Sequence, residues 1–291
     1  MTFVFTEMVR CGEIGKQAVD SFHRHHPDLI LHIFLAPEDV PYISADARNV
    51  LHYVLPDTPI YNGFSAGHMG TSMLWTHIFM EHPSEKLVHF DADVFFKGDI
   101  VHDIIAKMET ADLVGSFRPY KLNPNNRDDV RGYADVVQTY CVGINTSKIT
   151  IRDTASLQRM IQGIMWTHPV IDFFDPVSFH MLENGGTIAY MDVEDIGGVD
   201  RAGGRMNGYS ENEIFDSGRR ITHFAGVGSG RNFYTMLSKR KKIMVPESYI
   251  NFGLDRYDIY CRLFLHKSIR PSCKYDIDTI RKNVLSPDIL H

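Results

Sequence analysis

Short apolar runs alternate with amphipathic stretches through the first half of the chain, and this alternation limits the fold more than any other feature. Strand-like runs fall at residues 3–6, 29–35, 50–55 and 87–90, with further runs at 113–117 and 136–145. Helical spacing fills the gaps. Ile14, Ala18 and Phe22 share one face of a helix that Pro27 stops. Residues 63–70 read as a loop leading into a helix with Met69, Met73 and Ile78 at core spacing, ending near Pro83. Asp99 is placed to cap a helix carrying Ile100, Ile104 and Met108. Apolar strands alternating with helices predict a mostly parallel sheet covered by helices.

The second half is less regular. Asp175-Pro176 signals a helix start and Asn184-Gly185-Gly186 a helix stop, followed by a strand at 187–191. Residues 193–230 are rich in Gly, Asn and charge, which predicts long loops over a site. The last segment holds one amphipathic helix with Ile259 and Leu263, then a polar tail. No linker divides the chain, and no internal repeat is present. The expected fold is α/β and Rossmann-like, a mostly parallel mixed sheet flanked by helices. It is read as a single domain over 1–245 with a C-terminal helical extension over 246–291.

Composition narrows the environment. The net charge of −6 supplies no global attraction to nucleic acid or anionic membrane. Cys11, Cys141, Cys261 and Cys273 form no C-x-x-C pair, which argues against a zinc knuckle or a disulfide framework and for a reducing compartment. Met1-Thr2-Phe3-Val4-Phe5 leads into a strand without the basic and apolar stretch of a signal peptide. No apolar run reaches membrane-spanning length, so no transmembrane segment is expected. The expected location is cytoplasmic, with peripheral membrane attachment left open.

The most informative stretch is Leu87-Val88-His89-Phe90-Asp91-Ala92-Asp93-Val94-Phe95-Phe96. Strand periodicity sends Asp91 and Asp93 to the same side. Ligands of open α/β sheets bind at the carboxyl ends of strands. Two carboxylates between phenylalanines are costly to ionise unless a cation neutralises them, and hard ions such as Mn²⁺ or Mg²⁺ suit carboxylate oxygen. An Asp-x-Asp alone is weak. The chain carries its own control in Asp276-Ile277-Asp278, which lies in the polar tail behind no apolar strand and is assigned no role.

With that context, His89-Phe90-Asp91-Ala92-Asp93-Val94 resembles the Asp-x-Asp motif of glycosyltransferases with the GT-A fold. The layout is similar to the glycogenin and lipopolysaccharide galactosyltransferase families. The resemblance implies a nucleotide-sugar donor, a UDP-sugar ahead of a GDP-sugar, with Mn²⁺ or Mg²⁺ held by Asp91 and Asp93 against its diphosphate. Ile221-Thr222-His223-Phe224-Ala225-Gly226 resembles the His-x-x-Gly segment of those families, which implies that His223 completes the metal site. Gly226, Gly228 and Gly230 would bring backbone amides to phosphate, and Arg231 would add charge-assisted bonds. The Lys-Pro-Trp that follows the motif in those families is absent, which leaves retention or inversion open. Without the resemblance, His223 reads equally as a hydrogen-bonded strand-end histidine.

Phe5, Thr6 and Glu7 end the first strand, where related enzymes hold base and ribose; they read as well as ordinary strand-end residues. Asp172 and Asp175 are the candidate acid–base groups beside the acceptor hydroxyl, although capping alone also explains Asp175. Glu194-Asp195 is a rival pair. The resemblance implies a glycan or another hydroxyl-bearing molecule as acceptor, with a nucleic-acid base the less expected alternative. Lys239-Arg240-Lys241-Lys242 is either a solvated helix end or an anchor for a phosphate-rich or lipid-linked acceptor. The competing functions are a haloacid-dehalogenase-type phosphatase, whose Asp-x-Asp usually lies near the chain start, and a non-catalytic nucleotide-sugar-binding module. A nucleotidyltransferase ranks last, because Cys11-Gly12-Glu13-Ile14-Gly15 is too sparse in glycine for its phosphate loop.

Overall fold

Apolar residues on both faces of a strand require cover on both faces, and the chain meets that requirement with one central sheet. The computed structural model describes residues 2–64, 68–83, 85–121, 133–148, 177–178, 181–182, 184–199, 206–207, 215–270 and 275–285. The first unit runs β1 (Thr2–Met8), α1 (Glu13–His25), β2 (Leu31–Leu35) and β3 (Asn49–Tyr53). Then come α2 (Pro59–Phe64), α3 (His68–Glu81), β4 (Lys86–Phe90), β5 (Val94–Phe96) and α4 (Val101–Lys107). β6 (Leu113–Lys121), β7 (Tyr133–Asn145) and β8 (Ile188–Tyr190) complete the sheet, in the order β3-β2-β1-β4-β7-β6-β8. β7 pairs antiparallel with both β4 and β6, and the other neighbours pair in parallel.

Strand alternation sorts the core. Val4 and Met8 of β1 face α1 and α4, packing with Phe22, Phe90 and Ile104. Phe3 and Phe5 face the opposite side, packing with Trp75 and Ile78 of α3. The expected inward faces of α1 and α4 hold, with Ile14, Ala18, Phe22, Ile100, Ile104 and Met108 all buried.

Two expectations need correction. The described part of the expected loop at 63–70 is helical: Gly63 and Phe64 belong to α2, and α3 begins at His68. The start of α2 has a local signal, Thr58-Pro59, and the Thr58 hydroxyl accepts the Tyr61 N–H at 3.3 Å. Among the described residues of 193–230, short elements stand where loops are expected. They include α5 (Val193–Ile196), β9 (Gly198–Val199), β10 (Met206–Asn207), β11 (Asp216–Ser217) and β12 (Ile221–His223). β12 lies between β11 and β5 in a three-stranded antiparallel sheet. Its pairing with β5 joins distant parts of the chain, so local composition could not reveal it.

From Val227 the chain is α6 (Val227–Ser238), followed by α7 (Glu247–Phe264) and α8 (Ile277–Val284). A Cβ on Gly230 of α6 would lie 1.9 Å from the Gly253 carbonyl oxygen of α7, so this glycine serves helix packing. Residues Phe95, Phe224, Tyr257, Tyr260 and Ile280 share one buried cluster, which joins the C-terminal helices to the small sheet.

His26 ties the end of α1 to the start of α4. Its ring is fully buried. Nδ1 donates to the Phe22 carbonyl at 3.0 Å, while Nε2 accepts the N–H groups of Ile100 and Val101, each at 3.3 Å. Burial therefore holds the imidazole neutral and lowers its pKa to about 4. Above about pH 6.5 folded and unfolded chains both carry neutral His26. Between about pH 6.5 and 4 the unfolded chain takes up a proton that the folded chain refuses, so His26 subtracts about 3 kcal/mol of stability over that window. In urea titrations at pH 7 and pH 4.5, His26→Gln should be less stable than the wild type at pH 7 yet lose less on acidification. Equal losses in both proteins would refute the assignment.

Candidate metal and active site

β4 stops at Phe90, so Asp91 and Asp93 leave the strand before they meet. They sit in the turn to β5, closed by the Val94 N–H on the Asp91 carbonyl at 3.0 Å. The expected strand periodicity is thus replaced by a tight turn that gathers both carboxylates at the carboxyl end of β4. β12 delivers His223, its last residue, directly opposite Val94 of β5. The Phe224 N–H donates to the Asp93 carbonyl at 2.8 Å and fixes this register. Tyr140 of β7 stacks on the His223 ring at 4.5 Å between centroids.

The His223 Nε2 lies 3.5 Å from Asp93 Oδ1 and 3.8 Å from Asp91 Oδ2. One donor atom from each of the three residues falls within 4.8 Å of the others. On an octahedral ion with bonds of about 2.1 Å, adjacent ligands are about 3 Å apart and opposite ones about 4.2 Å. The donor set, two carboxylates and one imidazole, therefore fits a hard divalent cation in both spacing and chemistry. The side chains of Asp91, Asp93 and His223 are 29, 18 and 14% exposed, so the cluster opens to solvent on one side.

Behind it lies a buried acid–imidazole pair. His89 is fully enclosed, its Nε2 2.5 Å from Glu7 Oε2 and its Nδ1 3.1 Å from the Thr139 carbonyl. A carbonyl and a carboxylate both need a donor, so the ring carries both protons. Burial alone would favour neutral imidazole, but the charge and hydrogen bond of Glu7, together with Asp91, raise its pKa above the ordinary value. Trp75 Nε1 donates to the other Glu7 oxygen at 3.3 Å. His89 Nε2 stands 3.7 Å from Asp91 Oδ1. At Asp91, burial pushes the carboxyl up to about 7; Asp93 and Glu7 push the same way, while His89 and His223 oppose them. A carboxyl that burial holds back from ionising, as at Asp91, is one that a cation would relieve.

No protein-family model matches the chain, and no curated protein matches its sequence. Solved structures do match. The galactosyltransferase LgtC, in complex with donor and acceptor sugar analogs, aligns at 14% identity with a TM-score of 0.50, covering 87% of this chain and 100% of that one. An active-site mutant of LgtC aligns at 13% identity with a TM-score of 0.51 and the same coverage. The fold is GT-A. Mouse xyloside xylosyltransferase 1 in its apo form aligns at 9% identity with a TM-score of 0.41, over 69% of this chain and 89% of that one.

Within the GT-A sheet the other expected site residues are spread out. Phe5 and Thr6 are wholly buried, Phe5 against Phe34, Trp75 and His89, so their side chains reach no surface. Glu7 is spent on His89 and Trp75. Gly226 caps α6 with a φ of 82° that favours glycine, three residues beyond His223. Gly228 and Gly230 lie inside α6, not in a loop as expected. Arg231 donates through Nη1 to the Arg10 carbonyl at 2.8 Å and pairs with Glu13 at 3.3 Å, bracing α6 against the β1–α1 loop. Asp195 pairs with Arg219 at 2.9 Å. Asp172 and Asp175 lie outside the described residues.

Sequence reasoning missed His89, Asp39 and Tyr140. His89 was legible, because it lies near the end of β4, two residues before Asp91 in the same apolar run. Asp39 accepts the N–H groups of Arg10 and Gly12 at 2.6 and 2.7 Å and shapes the loop after β1, but no local pattern announces it.

Proposed function

We propose that the chain is a metal-dependent glycosyltransferase that moves a sugar from a nucleoside-diphosphate sugar to an acceptor hydroxyl. One observation carries this reading: Asp91, Asp93 and His223 converge at the carboxyl end of β4 in a GT-A sheet. The cation is Mn²⁺ or Mg²⁺, and a UDP-sugar is favoured as donor over a GDP-sugar. When bound, the ion supplies charge neutralisation for the departing diphosphate. Asp91 and Asp93 hold it from the β4–β5 turn, and His223 holds it from β12. Tyr140 fixes the plane of His223, and the Glu7–His89 pair fixes Asp91 from behind. The acceptor is a glycan or another hydroxyl-bearing molecule. Asp172 and Asp175 remain the proposed acid–base groups.

The test is thermal melting with UDP-, GDP- and TDP-sugars, each with and without Mn²⁺, followed by nucleoside diphosphate release. At one hundred times its dissociation constant, the correct donor should add about 2.7 kcal/mol and raise the melting temperature by roughly 5 °C, only with metal. Absence of any shift, together with hydrolysis of simple phosphomonoesters, would replace the transferase with a phosphatase.

A further inference from the structure

The chain also carries a surface that the proposed chemistry leaves unused. α6 and α7 form a helical hairpin whose tip is Lys239-Arg240-Lys241-Lys242, four exposed basic residues in a row. None of the four makes an ion pair with a described residue, in a chain whose net charge is −6. Apolar residues flank them on both sides. On α6, Val227, Gly230 and Phe233 are buried, yet Leu237, one turn beyond Phe233, is 48% exposed. On α7, Gly253 and Tyr257 are buried, yet Tyr249, one turn before Gly253, is also 48% exposed. Met244 and Val245 in the connection are 79 and 40% exposed. The apolar faces of both helices thus run on past the buried Gly230–Gly253 contact, where Tyr249 meets the edge of Phe233 at 5.7 Å between ring centroids and Leu237, Met244 and Val245 stand exposed.

We propose that this hairpin tip docks on an anionic membrane surface. Leu237, Met244, Val245 and Tyr249 would enter the headgroup boundary while the basic run meets the lipid phosphates. Charge decides the occupant. A second copy would set the same four cations against themselves, and a free phosphate would leave the apolar flanks in water. An anionic bilayer answers both features at once. α6 starts beside His223 and its twelve residues span about 18 Å, so docking would hold the candidate site near the bilayer. The inference does not depend on glycosyl transfer.

The test is sedimentation of the full chain with vesicles of phosphatidylcholine, alone or mixed with phosphatidylglycerol, at low and high salt. Binding is expected only to the mixed vesicles and should weaken with salt. Lys239→Glu combined with Lys241→Glu should weaken it by roughly tenfold or more, at about 1 kcal/mol per basic residue. Leu237→Ser combined with Met244→Ser should weaken it at unchanged net charge. These positions are exposed, so both variants should melt like the wild type. Three results would overturn the proposal: no binding to mixed vesicles, equal binding to neutral vesicles, or wild-type binding by both variants. A wild-type dimer that the serine variant dissociates, with no vesicle binding, would reassign the face to self-association.

Discussion

Asp93→Ala is expected to lower sugar transfer by at least about a thousandfold while leaving the melting temperature unchanged or slightly raised. The loss follows because Asp93 offers one of three converging donor atoms, and a bound ion contributes several kcal/mol to neutralising a leaving diphosphate. The stability follows from the same geometry. Asp93 lies beside Asp91, whose carboxyl it helps to push up, so its removal relieves repulsion between like charges. The pair of measurements is nucleoside diphosphate release at saturating Mn²⁺ and a thermal melt without metal. Retained activity would remove Asp93 from the site, and unfolding would make its role structural.

Glu7→Gln should do the opposite and reduce stability and activity together. Glu7 is the counter-charge of the fully enclosed His89, at 2.5 Å. Removing one partner of a buried ion pair leaves the other charge uncompensated, at a cost of about 3 kcal/mol or more. For a chain of this size that corresponds to roughly 6–12 °C in melting temperature. Activity should fall as well, because His89 stands 3.7 Å from Asp91 Oδ1 and helps to set its position. A melting temperature equal to that of the wild type would mean that His89 does not need the Glu7 charge. Comparison with Asp93→Ala separates the roles, since only the residue behind the site should carry a stability penalty.

The sheet was legible where structure follows from local pattern. β1, β2, β3 and β4 announce themselves as apolar runs between helical stretches, and Ile14, Ala18 and Phe22 mark the inner face of α1. The candidate cluster was legible by residue type: the apolar strand before them marks Asp91 and Asp93, and its motif marks His223. What could not be read is how these residues meet. Their convergence depends on a turn after Phe90 and on β12 pairing with β5, a contact that no window of sequence contains. The glycines illustrate the same limit. Gly228 and Gly230 look like a phosphate loop in one dimension, but Gly230 exists to let α6 touch Gly253. Arg231 looks like a free cation, yet Glu13 and the Arg10 carbonyl hold it.

The pairing of β5 with β12 also sets a schedule for biosynthesis. Val94 and His223 are neighbours in the small sheet but about 130 residues apart along the chain. At about 5–20 residues per second, a ribosome needs several seconds or more to pass from one to the other. Through that interval the nascent chain can form β1, β2, β3 and β4 and bury their apolar faces, with Asp91 and Asp93 already displayed at the end of β4. Metal captured then would meet two carboxylates and no imidazole. The three-residue cluster is assembled only after β12 has emerged and zipped onto β5, so a chain that stalls or is cleaved before His223 has a partly built sheet and only the two carboxylates of the proposed site.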